Sequence, residues 1–143
     1  MFTRTQAEEK HGITLAQLSR EGVPPKPELL EFAALVGAAL AAGVCVLAHH
    51  ASFDVRLLNR TAHRHGLHNC ELTSATMLCT MHSATRHCGL RTRGDKRAKA
   101  PTNEELYMHL HDGKKPTGQL HRALPDCRIT LSSYIAGKQC HWW

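Results

Sequence analysis

Two short segments place reactive side chains where chemistry is possible. The first is Ala48-His49-His50-Ala51-Ser52-Phe53-Asp54, where a short apolar run passes into a helical pattern. An acid in the first turn of a helix that follows a buried strand sits at the strand's carboxyl end. Ligands bind at that edge in open α/β sheets. A carboxylate there can hold a hard cation. Taken alone, Asp54 is equally an ordinary helix-start acid favoured by the helix dipole, and that is the commoner case. The second segment is His121-Arg122-Ala123-Leu124-Pro125-Asp126. On a helix, residues five apart lie roughly 140° apart around the axis. His121 and Asp126 therefore flank one cavity only if the helix start lies across its mouth. Otherwise they are a surface His and a solvated Asp.

The elements that would position these residues are legible from pattern. Thr14 followed by Gln17 reads as a capping box opening a short helix, with Leu15 and Leu18 on one face. Gly22 and the Pro24, Pro25, Pro27 cluster end it. Leu29, Leu30, Ala33, Leu35, Val36, Ala39 and Leu40 predict a helix from about Pro27 to Ala42, stopped by Gly43. Val44 to Ala48 is short, continuous and partly β-branched, which suits a buried, parallel strand. A helix from about Ser52 to His65 follows, its buried side drawn from Phe53, Val55, Leu57, Leu58 and Ala62. Glu71 to Leu78 suits another short strand, and Thr80 to His87 another helix. Thr102-Asn103-Glu104-Glu105 starts a helix rich in early acids. Asp112 to Gly118 is a turn-rich connection. The last helix is expected over Leu120 to Ala136, with Gly137 just beyond it. Helices alternating with a few short strands argue an α/β fold.

The totals set the outer limits. At 143 residues the chain fits one domain with one modest core. No apolar run approaches the roughly 20 residues of a membrane span. The opening residues lack an apolar signal region, so a cytoplasmic setting and no membrane partner are expected. The six cysteines form no tight framework and are expected to be free thiols. The net charge of +6 favours polyanionic partners. Nearly all of it lies between Arg86 and Lys99, where six cations face the single Asp95. That segment is either a solvated loop or a phosphate-contacting one.

Read in order, the segments resemble the DnaQ-like (DEDDh) 3′–5′ exonucleases of the ribonuclease H-like superfamily. The family's middle motif is a strand, then Ala-His-Asn-Ala-x-Phe-Asp, then a Leu-bearing helix; here it reads Leu47-Ala48-His49-His50-Ala51-Ser52-Phe53-Asp54-Val55-Arg56-Leu57-Leu58. His-x-Ala-x-x-Asp stands as His121 to Asp126, and His11-Gly12-Ile13-Thr14 is similar to a segment common upstream. The resemblance covers essentially the whole chain. It implies a ribonuclease H-like exonuclease fold, with helices around a small residual sheet. It implies Asp54 and Asp126 as metal ligands, His121 as general base, and a two-metal Mg²⁺ or Mn²⁺ site. The reaction implied is hydrolysis of DNA or RNA from a single-stranded 3′ end. His50, Phe53, Arg91, Arg93, Lys96 and Arg97 are the candidates for nucleic-acid contact.

The sequence departs from the family in three places. No Asp-x-Glu occurs anywhere, although the family's first strand carries it; the domain is expected to be N-terminally truncated, at residues 1–143. Asp54 and Asp126 alone carry too little charge for two close cations. The strand at Val44–Ala48 is then expected to keep an unpaired edge, which favours a homodimer or a missing N-terminal segment as partner. His50 replaces Asn, and Pro125 falls inside the expected last helix, where it would tilt the first turn.

Two rival readings stand beside this one. A zinc module could draw on His63, His65, His68 and Cys70, or on Cys79, His82, His87 and Cys88. No Cys-x-x-Cys pair supports it, and surface histidines account for these residues better. A non-catalytic nucleic-acid-binding relative could use the basic segment. It would have few stacking aromatics: Phe53 and Tyr107 are expected in the core, and Trp142 and Trp143 at a fraying terminus.

Overall fold

The computed structural model describes residues 4–68, 72–92, 94, 97–118 and 120–143. Its elements in chain order are α1 (Arg4–His11), α2 (Leu15–Glu21), α3 (Pro25–Ala41), β1 (Val46–Ala48) and α4 (Ala51–Arg64), then β2 (Met77–Cys79), α5 (Thr80–Cys88), α6 (Asn103–Leu110) and α7 (Ala123–Gln139). A single 3-10 turn, Ser74–Thr76, leads into β2. Glu71, the expected start of that strand, lies outside the described residues, as do Cys70, Arg93 and Lys96. The architecture is α/β, with helices around a small parallel sheet.

Local chemistry sets most boundaries. Thr14 Oγ1 accepts the Gln17 N–H at 3.1 Å and opens α2. α3 begins two residues earlier than the pattern suggests, because Pro25 fits the first helical position, where its missing N–H costs nothing. Gly43, at φ 69°, takes the left-handed turn that leads from α3 towards β1. β1 and β2 pair in parallel, Val46 opposite Met77 and Ala48 opposite Cys79. α4 supplies part of the crossover that parallel strands need. Ala51, Val55 and Ala62 are buried on it, a stripe at helical spacing. Phe53 and Leu57, expected on that side, fall outside the stripe and are 46% and 54% exposed.

α5, α6 and α7 close around Ala84, Cys88 and Leu106, with Leu90, Leu110, Trp142 and Trp143 packed against them. α6 carries a full capping box. Thr102 Oγ1 accepts the Glu105 N–H at 3.1 Å, and Glu105 accepts the Thr102 N–H at 2.8 Å. The Lys99 ammonium also binds Glu105 and holds its carboxyl below the usual carboxylate range. The basic segment is folded back on itself. Arg91 bridges Ala98 in antiparallel fashion, and the Lys99 N–H donates to the Leu90 carbonyl at 2.8 Å.

The last helix differs from expectation at both ends. It starts at Ala123, not Leu120, so Pro125 occupies the first turn, where its missing N–H has no helical partner to lose. It runs on through Gly137, which is buried. The reason is the C-terminus, which is packed rather than frayed. A Cβ at Gly137 would sit 2.3 Å from the Trp143 ring. Trp143 Nε1 donates to the Tyr134 carbonyl at 3.0 Å. Trp142 lies against His87 and His109, with ring centroids 4.7 and 5.5 Å away. Cys45, Cys79, Cys88, Cys127 and Cys140 are free thiols. Among the described residues, no helix is long and apolar enough to cross a membrane.

Candidate active site

β1 ends at Ala48, and two residues later the chain turns into α4. The turn is anchored by His49. Its carbonyl accepts the Met81 N–H at 3.0 Å and the Cys79 thiol at 3.3 Å, which continues the strand pairing into the β2–α5 junction. His50 caps α4 through its backbone carbonyl, which accepts the Phe53 and Asp54 N–H groups at 2.9 and 3.2 Å. Its ring stacks on Phe53 with centroids 5.7 Å apart, and the Arg56 guanidinium lies 5.8 Å from the Phe53 ring centre. Asp54 stands in this first turn. Partial desolvation pushes its carboxyl above the ordinary carboxylate value, and the neighbouring His50 offsets part of that.

α7 packs against β1 as well as against α6. Its entry carries the second segment. His121 is exposed and sits just ahead of the helix in the left-handed region, at φ 61°. Asn, Asp and His are the non-Gly residues most often found there. Its backbone N–H donates to Asp126 Oδ1 at 3.2 Å. The half-buried Asp126 thus reaches back from α7 to hold the turn. The helical-wheel separation of the two residues does not apply, since His121 precedes the helix.

The structure brings His121 and Asp126 together through this backbone contact. It does not gather them with Asp54 into a cation cage: among the described residues, no three His, Cys, Asp or Glu side chains converge closely enough to hold a metal ion. A two-metal site needs carboxylate oxygens shared by ions roughly 3.5–4 Å apart. Two clefts of about 300 and 280 Å³ run along α7, and both are bordered by Arg128 and Ser132. Neither is lined by Asp54, His121 or Asp126.

The candidate nucleic-acid contacts divide. His50 and Phe53 form an exposed stacked pair beside Asp54. Arg91 and Arg97 are exposed on the folded-back segment, while Arg93 and Lys96 lie outside the described residues. Sequence reasoning assigned no role to His49, whose ring is the most connected imidazole near the site. It lies 3.1 Å from both Thr80 Oγ1 and the Pro101 carbonyl, and burial pushes its pKa down. Its only sequence signal was its place beside Ala48 in the first segment.

Compared with known proteins, the chain matches the sequence model of the Exonuclease (RNase_T) family over residues 6–134. No curated protein and no solved structure gave a match.

Proposed function

The chain belongs to the exonuclease family, and from that premise we propose that it is the substrate-holding part of a DEDDh-type, metal-dependent 3′–5′ exonuclease with an incomplete metal site. In this reading Asp54 and Asp126 are the second- and third-motif acids, and His121 is the base that takes a proton from water. The Asp-x-Glu carboxylates come from outside these 143 residues. Mg²⁺ or Mn²⁺, when held by all four acids, would supply charge neutralisation and water activation.

One observation carries the reading. Asp54 lies just past the carboxyl end of a parallel strand, and Asp126 lies in the first turn of a helix that packs on that same strand. The exposed His50–Phe53 pair beside Asp54 suits a terminal base, and the cations of the 86–99 segment suit the phosphates behind it. A second reading, a non-catalytic relative that only binds strands, draws on the absence of a three-ligand cluster among the described residues.

The test uses a 3′-labelled single-stranded oligonucleotide with Mg²⁺ or Mn²⁺. The chain alone should bind it with steep salt dependence and leave it intact. Fusing a strand that carries Asp-x-Glu upstream should start stepwise 3′ degradation, lost again in Asp126→Ala. If the fusion binds but never cuts, the second reading replaces the first. Robust degradation by the unfused chain would overturn the incomplete-site proposal.

A further inference from the structure

The short segment Pro101–Asn103, ahead of and at the start of α6, touches both halves of the candidate site. On one side is His49. The Pro101 carbonyl can only accept, so the His49 nitrogen facing it, Nε2, carries the hydrogen. In the neutral ring Nδ1 then accepts from the Thr80 hydroxyl. Thr80 is fully buried and needs that partner. On the other side is Asp126. Asn103 Nδ2 donates to the Asp126 backbone carbonyl at 3.1 Å. The Thr130 hydroxyl lies 3.0 Å from the same carbonyl and 3.3 Å from Asn103 Oδ1.

We propose that Asn103 is a positioning residue that sets where the Asp126 carboxylate stands, and that His49, through Pro101, ties the same segment to the end of β1 ahead of Asp54. The proposal rests on reading Asp54 and Asp126 as the site acids. An amide suits the position because it offers one donor, to the carbonyl, and one acceptor, to the Thr130 hydroxyl. A carboxylate would set two acceptors against each other, and an apolar side chain would leave the carbonyl and hydroxyl short of a partner. The two acids lie on different elements, α4 and α7, and this segment gives them a common anchor.

The backbone N–H of His121, which donates to Asp126 Oδ1, reports the carboxylate's position without metal or substrate. Its signal is followed by ¹H–¹⁵N NMR in the full chain. Asn103→Ala should shift the His121 amide markedly. Asn59→Ala is the matched control, because the Asn59 amide holds the Leu72 backbone by two bonds of 2.9 and 3.0 Å on α4. It should lose similar stability and leave the His121 amide in place. Thr130→Val, which removes only the hydroxyl, should shift the amide less and carries the test if Asn103→Ala does not fold. An unmoved His121 amide in the folded variant, or an equal shift in Asn59→Ala, overturns the proposal. In the chain fused to an Asp-x-Glu strand, added Mn²⁺ should broaden the Asp54 and Asp126 signals. If Asn103→Ala moves the amide in the unfused chain while Mn²⁺ broadens neither acid in that fusion, the positioning role stands and the assignment of the acids as metal ligands falls.

Discussion

His49 and Asp54 are five residues apart; burial of the imidazole and partial desolvation of the exposed Asp54 carboxyl shift both towards the neutral form, with opposite consequences for pH. The folded His49 resists protonation, whereas the unfolded chain gains a proton below its ordinary value of 6.5. Its contribution to stability is full above about pH 6.5 and is lost as pH falls from there towards the lowered folded value. Urea unfolding of the wild type should therefore weaken through that window, and His49→Gln should flatten that part of the curve. Removing the ring in His49→Ala should cost about 1–3 kcal/mol, because the buried Thr80 hydroxyl and the Pro101 carbonyl lose their partner. Asp54 runs the other way. Its folded pKa is raised above 3.8, so its contribution is present below about pH 3.8 and lost as pH rises through the folded value. Asp54→Asn should be modestly more stable than wild type at neutral pH, the gain fading towards acid. A midpoint that falls at neutral pH would show that the carboxylate is held by a favourable partner.

Elements whose ends are fixed by one side chain were readable in advance; those fixed by distant contacts were not. Thr14 opens α2 and Thr102 opens α6 through bonds to residues three positions on, information wholly local to the chain. Thr102→Ala should cost about 0.5–2 kcal/mol in thermal unfolding, with α6 the first helix to lose amide protection. The strand before His49 was legible in type and direction, but it is shorter than its apolar run because only Val46–Ala48 meet a partner. The helix starts that carry Asp54 and Asp126 were legible to within a few residues, but not how α7 lies on β1, which is a long-range contact. Pro125 is expected to tilt the first turn of a helix that opens at Leu120; α7 opens at Ala123 instead, which leaves Pro125 in that turn with no helical bond to lose. Gly137 looked like a helix end, yet its missing Cβ makes room for Trp143, a contact no local pattern announces. Gly137→Ala should drive the indole out. We expect red-shifted tryptophan emission and about 1–3 kcal/mol lost, overpacking outweighing Ala's better helix propensity. Unchanged emission would mean that the terminal ring does not occupy that groove.

The molecule as a whole buries less than its sequence would allow. Among the described residues, eight apolar residues are buried, while twelve large ones are exposed. Leu30, Phe32 and Leu35 are exposed on α3, Leu35 at 67%, and Leu124, Leu131 and Ile135 on α7. β1 has a single hydrogen-bonded neighbour among the described strands, and its residues are only half-buried. Apolar faces of this kind beside an open strand edge favour association. The chain should therefore self-associate in sedimentation velocity runs over about a hundredfold range of concentration. Leu35→Lys and Ile135→Lys separate the two faces, since only the variant on the associating face should return the monomer. Salt distinguishes this contact from strand binding. Apolar association holds or strengthens as salt rises, whereas binding through the 86–99 cations falls steeply. A single monomeric species at every concentration would mean that these faces are tolerated in water. Self-association lost at high salt would instead assign it to charge, and so to the basic segment rather than the apolar faces.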